Sequence, residues 1–195
     1  MYRHVKIRVV VTLSCAVALT AAHRVSKTES AMTEMAGRFL NTLSAEQKPI
    51  TQYDFSAKQR MLWHFVPDNN FKESYGFARP GLTYKAMNGE QKRLAEALLS
   101  TGLSNSGFLK AMTVMSLEEV LRVKEKDVAG RRDPDKYYFS IYGTPGVDAT
   151  WAWRAEGHHL SLHYTFRNGQ LIAASPTFFG ANPHKVLTGS RTVSY

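Results

Sequence analysis

Apolar residues in the first half of the chain recur with the period of an α-helix. Between residues 31 and 43 they are spaced three and four apart, which indicates one amphipathic helix. The apolar positions are Met32, Met35, Ala36, Phe39, Leu40 and Leu43. Ser30 stands where a helix cap is expected, and Ser44 with Gln47 forms a capping box that predicts a short turn.

Two further segments predict helices in the middle of the chain. Asn88 and Gln91 form the start signal of a helix that Gly102 is placed to end. Helical spacing continues over residues 108–115, and Ser116 with Glu119 forms a capping box that predicts a separate helix after it.

Strand signals precede and follow this helical region. The aromatic-rich segment 61–66, which ends at Pro67, predicts one strand. After residue 134 the hydrophobic period changes to two. This pattern predicts strands over residues 137–142, 151–156, 160–167 and 170–174. Helices followed by strands favour an α+β fold, with the helices of residues 31–126 packed on an antiparallel sheet.

Asn168-Gly169 is the strongest local signal, because this dipeptide favours a two-residue hairpin turn. A turn of that length sets Arg167 opposite Gln170. Continued pairing at the same register then sets Phe166 opposite Leu171 and Tyr164 opposite Ala173.

The first 22 residues have the composition of a secretory signal peptide. Arg3, Lys6 and Arg8 precede an apolar stretch over residues 9–19, and small residues follow up to Ala22, the expected cleavage site. The stretch is shorter than the roughly 20 residues that a transmembrane helix needs, so we expect no transmembrane segment in the mature chain. We therefore expect a secreted or periplasmic protein with one α+β domain over residues 23–195.

Cleavage would also change the charge and the thiol content. The formal charge of +9 falls to +6, because three basic and no acidic residues are removed. The single cysteine, Cys15, is lost with the signal peptide. We expect no nucleic-acid partner for an exported protein, and the sequence identifies no other partner.

Several segments resemble a family of bacterial and fungal proteins, domain-of-unknown-function family 3500. They are RMLWHFVP at residues 60–67, GFLKAMTVMSLEEVL at 107–121, RDPDKYYFSIYGTP at 132–145, WAWRAEGHHLSLH at 151–163 and PTFFGANP at 176–183. The resemblance carries no activity over to this chain. Because members of the family continue past the last segment, it also implies that the domain is incomplete at its C-terminus.

Candidate chemistry concentrates in the segment around Gly157. In one unbroken strand, Arg154, Glu156 and His158 would share a face with apolar residues. A β-bulge at Gly157 would instead place Trp151 and Trp153 on the apolar face and Arg154, Glu156, His159, Ser161 and His163 on the other. We favour the bulge, which keeps Glu156 off the apolar face.

Both arrangements place a carboxylate within about 7 Å of an imidazole. One interpretation is therefore a secreted hydrolase or metalloenzyme that uses Glu156 with His158 or His159, and a divalent metal is its candidate cofactor. The alternative is a structural ion pair between Arg154 and Glu156, with the histidines bonded to loop carbonyls.

A different hypothesis is a non-catalytic module that binds an extracellular or envelope polymer. Trp151 and Trp153 would form its stacking face, with Arg154 and Glu156 as polar contacts. His64 joins either site if its strand lies beside Glu156. The sequence contains no HExxH motif, no phosphate loop and no Gly-x-Ser-x-Gly elbow, so it does not define a reaction.

Overall fold

A computed structural model describes residues 27–195 of the chain. The predicted signal peptide, with Cys15 and the expected cleavage site at Ala22, lies outside the described residues. Within residues 27–195, no helix combines the length and hydrophobicity needed to cross a bilayer. The architecture is α+β, as the pattern predicts, with helices in the first part of the chain and a largely antiparallel sheet after them.

Among residues 27–195, five α-helices precede the long strands. They are α1 (27–41), α2 (Lys48–Thr51), α3 (Asp68–Tyr75), α4 (Gly89–Thr101) and α5 (Asn105–Lys124). The predicted capping box of Asn88 and Gln91 begins α4, and Gly102 ends it. The predicted box of Ser44 and Gln47 is also present, with both reciprocal hydrogen bonds formed.

Two predicted caps are wrong because both serines lie inside longer helices. Ser30 belongs to α1, which is already helical at residue 27. Ser116 lies within α5 and donates its hydroxyl to the carbonyl of Thr113. Helix α5 therefore runs without a break through the predicted boundary, and its own cap is Ser104, which accepts from the amide of Gly107.

Seven strands form the main sheet and two form a separate hairpin. The strands are β1 (Gln52–Tyr53), β2 (Leu82–Thr83), β3 (Tyr138–Tyr142), β4 (Thr150–Gly157), β5 (Leu160–Arg167), β6 (Gln170–Ala173), β7 (Thr177–Phe179), β8 (Lys185–Thr188) and β9 (Arg191–Ser194). The main sheet has the order β1-β3-β4-β5-β6, with β2 also on β3 and β7 also on β5. In the described part of the chain, strands β8 and β9 pair only with each other.

The predicted hairpin at Asn168-Gly169 is confirmed, since both residues have the positive φ that this turn requires. Arg167 pairs with Gln170, and Phe166 pairs with Leu171, as expected. The register then shifts between Thr165 and Phe166, so that Ala173 lies opposite Thr165. The predicted pair of Tyr164 with Ala173 is therefore wrong, because a bulge changes the count.

Segment 61–66 is not a strand, contrary to the prediction. Its beginning belongs to a 3₁₀ turn, Lys58–Met61, and the rest has no regular secondary structure. Side chains bond to several of its backbone groups, and the carbonyl of Phe65 accepts from the backbone amide of His159. The carbonyls of His64 and Val66 both accept from the guanidinium of Arg79. Aromatic composition favours extended backbone, but it does not supply a strand partner.

The two faces of the main sheet differ in chemistry. One face packs on α1, α4 and α5 and carries the apolar core, including Phe139, Trp151, Trp153, Leu162 and Phe166. The opposite face carries polar residues that are also buried, with Ser140, Arg154, Glu156, Ser161 and His163 all at most 4% exposed. Residues 54–81 contact this second face, which we call the polar face.

Candidate functional site

Strands β4 and β5 form a hairpin whose two-residue turn is His158-His159. Gly157 pairs with Leu160, and the register is unbroken from there to the pair Thr150 and Arg167. The predicted bulge at Gly157 is therefore wrong, and so is a single unbroken strand, because the chain reverses direction. Gly157 is required for packing, since an added Cβ would lie 2.5 Å from the ring of Tyr137.

The side chains are nevertheless distributed over the two faces as the bulge arrangement predicted, with the tryptophans on one face and the polar residues on the other. Arg154 lies opposite His163, and Glu156 lies opposite Ser161, so these four share the polar face. His159 is separated from them in the turn, where it has a φ of +60°. The hairpin thus divides the predicted cluster into a buried polar group and an imidazole pair at its end.

Trp151 and Trp153 lie in the core with no exposed surface. Trp151 stacks on Phe166 with ring centroids 4.4 Å apart, and Trp153 stacks on Tyr164 at 4.5 Å. These cross-strand pairs join β4 to β5 on the core side of the sheet. The predicted exposed stacking face is therefore wrong for both tryptophans.

Glu156 is fully buried between two guanidinium groups. Its Oε1 lies 3.1 Å from Nη1 of Arg79, and its Oε2 lies 3.3 Å from Nε of Arg154. Oε2 also accepts from the hydroxyl of Ser161 and from the backbone amide of His64. The predicted ion pair of Arg154 and Glu156 is thus present, and the carboxylate has no exposed surface.

His64 reaches Glu156 through its backbone and not through its imidazole. The ring Nδ1 instead accepts from the backbone amides of Phe65 and Val66. His64 therefore helps to hold the loop on the polar face, and its ring faces its own backbone.

His158 is paired with Glu118 of helix α5, which is not among the predicted site residues. The Glu118 carboxylate contacts Nδ1 of His158, and the hydroxyl of Tyr137 donates to the His158 carbonyl at 2.8 Å. Arg132 places Nη1 3.2 Å from the same Nδ1 and 3.8 Å from Glu118. An ionised Glu118 can only accept and so requires the proton on Nδ1, whereas Arg132 can only donate and cannot bond to that nitrogen once it is protonated. With the proton on Nδ1, Arg132 is a charge partner of Glu118, and Nε2 is the nitrogen that can accept a proton.

A narrow cleft adjoins this pair. It is lined by Pro67, Asp68, Glu118, Arg131, Asp133, Lys136 and His158. Its volume of about 10 Å³ is close to the minimum that holds one water molecule. The imidazole–carboxylate pair therefore borders a space of the size of a single water molecule.

His159 lies beside this pair, with its ring 4.3 Å from that of His158. Its backbone is fixed on both sides, because its amide donates to Phe65 and its carbonyl accepts from Gly180, each at 2.8 Å. Burial, and then the proximity of His158, lower the pKa of His159. Its Nδ1 is buried and has no hydrogen-bond partner among residues 27–195.

A periodicity signal in the sequence could have identified Glu118. Helix α5 buries Ala111, Val114, Met115 and Leu121, and Glu118 continues their spacing of three and four. A carboxylate on an apolar stripe needs a buried partner. Residues 27–195 contain no cluster of three or more His, Cys, Asp or Glu side chains arranged to hold a metal ion.

Comparisons with known proteins place these residues within one family. Residues 26–194 match the model of the family described as Protein of unknown function (DUF3500). No curated protein and no solved structure matches the chain. The matched range spans the hairpin, helix α5 and the polar face, and the chain therefore belongs to the DUF3500 family.

Proposed function

We propose that the protein is a hydrolase in which His158, oriented by Glu118, activates a water molecule. The contact between the Glu118 carboxylate and Nδ1 of His158, beside a cleft of one-water size, is the observation that carries this proposal. A carboxylate that fixes the imidazole in one tautomer leaves Nε2 as the base, as in the orienting step of hydrolytic triads.

The proposed reaction needs no group beyond the substrate, a water molecule and these side chains. Nε2 of His158 takes a proton from the water while the water oxygen bonds to the electrophilic centre. The imidazolium then returns that proton to the leaving group as its bond breaks, so the imidazole ends neutral. General acid–base catalysis of this kind contributes about 10² to 10⁴ in rate.

This proposal changes the role of the predicted carboxylate. Glu156 has zero exposure and two arginine partners, and its contacts make it a residue that positions the loop. Glu118 takes the place of the predicted carboxylate beside the imidazole, and His159 becomes a neighbour of the base with its Nδ1 still unpaired. The metal-dependent version would require ligands in addition to the pair.

Export remains part of the proposal. The charged start, the apolar stretch and the small residues before Ala22 support cleavage and a secreted or periplasmic location. Packing of α1, α4 and α5 on one sheet face supports a single domain over residues 23–195. N-terminal sequencing of native protein tests the location, because an intact Met1 in a cytosolic fraction would contradict it.

The test of the activity is a hydrolysis screen followed by matched variants. Wild-type protein is assayed on chromogenic carboxylic esters, phosphate esters and glycosides. We expect turnover on one class, with His158→Gln and Glu118→Gln each lowering kcat at least 100-fold. Glu119→Gln is the control, because this neighbouring carboxylate is exposed and pairs with Arg122 on the helix surface.

Two outcomes would contradict the proposal. The first is no turnover on any of the three classes. The second is a wild-type activity that survives in His158→Gln while the variant melts at the wild-type temperature. Circular dichroism of each variant shows whether it is still folded, and so whether a loss of activity comes from the missing acid–base group or from unfolding.

A further inference from the structure

The polar face of the sheet holds more positive than negative charge. Arg79 and Arg154 have fully buried side chains, and their carboxylate partners are Glu156 and the partly exposed Asp68. Arg60 also lies close by, since its carbonyl is 3.4 Å from Nη1 of Arg154 and its charge acts on the ring of His163. The Arg60 guanidinium itself donates to the Phe55 carbonyl. Within residues 27–195, no carboxylate lies within salt-bridge distance of Arg60, so this part of the protein contains three guanidiniums and two carboxylates.

Three buried nitrogens on this face have no hydrogen-bond partner among the described residues. They are Nε and Nη2 of Arg154 and Nε2 of His163. Nε of Arg154 still lies 3.3 Å from Oε2 of Glu156, so Nη2 of Arg154 and Nε2 of His163 are the two without a charged neighbour at that distance. The two residues are directly opposite each other on β4 and β5, so their side chains are neighbours on the same face. A buried guanidinium nitrogen without an acceptor costs free energy, which indicates that an acceptor is supplied from outside the chain.

The surroundings of His163 favour a negatively charged acceptor. The charged groups that act on its ring are Arg154 and Arg60, and Tyr142 lies beside it with ring centroids 6.2 Å apart. Burial first, and then these two cations, lower the pKa of His163 to about 4. At neutral pH the imidazole is therefore uncharged and able to donate one N–H bond.

We infer that a small monovalent anion, of the chemistry of chloride, binds between Nη2 of Arg154 and Nε2 of His163. The anion accepts from the guanidinium and from the neutral imidazole, and its charge balances the third arginine. Water would satisfy the two nitrogens but would leave the excess positive charge of the polar face in place. The site lies on the opposite sheet face from the apolar core and does not depend on the proposed hydrolysis.

Bromide is the probe, because its anomalous X-ray signal separates it from water. Crystals of the wild-type protein grown in sodium bromide should show an anomalous peak in contact with both nitrogens. An ordered water at that position, or bromide bound only elsewhere, would overturn the inference.

Thermal unfolding gives an independent measurement in solution. At equal ionic strength, the wild-type melting temperature should be higher in sodium bromide than in sodium gluconate, because an anion that binds only the folded state raises stability. His163→Leu should lose this difference, and His184→Leu, which changes a histidine outside the polar face, should keep it. An equal bromide effect in wild type and His163→Leu would contradict the site.

Discussion

Nη1 of Arg79 lies 3.1 Å from Oε1 of Glu156, and neither side chain has exposed surface. The contact joins the loop after α3 to the end of β4. Arg79 also donates to the carbonyls of His64 and Val66, so one guanidinium holds the loop on the polar face. The ring of Phe71 lies 4.5 Å from the same guanidinium and covers it.

We expect Glu156→Gln to destabilise the fold strongly. Loss of the carboxylate charge leaves Arg79 and Arg154 buried without their shared counter-charge, which costs about 3–5 kcal/mol in comparable buried pairs. Urea unfolding followed by circular dichroism measures the change. Glu119→Gln serves as the control and should leave the midpoint unchanged, because its partner Arg122 is also exposed. Equal midpoints for the two variants would contradict the structural role of Glu156.

Stability should fall as the solution is acidified from pH 6.5 towards pH 4. The folded state holds the pKa of His163 at about 4, below its ordinary value of 6.5, chiefly through burial. Between pH 4 and pH 6.5 the unfolded chain binds a proton at His163 that the folded chain does not bind. The neutral His163 therefore makes its full contribution to the free energy of unfolding above pH 6.5. The loss amounts to about 3 kcal/mol by linkage. His163→Leu should flatten this part of the stability curve in sodium gluconate, whereas an unchanged slope would contradict the assignment.

Two glycines should respond to alanine in opposite ways. Gly157→Ala introduces a Cβ that meets the Tyr137 ring at 2.5 Å and the Lys136 carbonyl at 2.9 Å. Overpacking of this kind costs about 1–3 kcal/mol, and it also displaces the Tyr137 hydroxyl from the carbonyl of His158. Gly37→Ala lies in α1 with no atom within 4 Å of the new Cβ, and it should stabilise by about 0.5–1 kcal/mol. Thermal melts of both variants provide the comparison.

An apolar groove between α5 and β8 should bind a hydrophobic dye. Its volume is about 600 Å³, and Val123 and Leu187 on its sides are 67% and 73% exposed. Leu187→Lys should lower the fluorescence of bound dye without lowering the melting temperature, because the leucine contributes little to the core. Ile172→Lys is a control on another exposed apolar residue, and an equal loss of fluorescence there would argue against the groove.

Local signals in the sequence are sufficient to predict the elements that depend on neighbouring residues. The Asn168-Gly169 turn and the Asn88 capping box are set by residues within four positions of each other, and both are present. Alternation along β4 also separates Arg154 and Glu156 from the two tryptophans. Each of these features follows from backbone geometry, which a short segment already determines.

The partners of the site could not be predicted in this way. Glu118 contacts His158 from a helix 40 positions earlier in the chain, and no local pattern brings the two together. The contact between Arg79 and Glu156 also joins residues that are distant in the chain, and it forms only when the loop packs on the sheet. The predicted strand over residues 61–66 is wrong because long-range bonds from Arg79 replace those of a strand partner.

Short strands cover both outer edges of the three longest strands in the main sheet. Strands β1 and β2, of two residues each, share the edge of β3, while β6 and β7 share the edge of β5. A strand from another molecule would therefore find no long row of unpaired backbone N–H and C=O groups at either edge. This limits edge-to-edge association. The hairpin β8–β9 has no such cover within residues 27–195, and every residue of β9 is exposed. Self-association on heating should accordingly begin at residues 185–194, and charged substitutions there should delay precipitation.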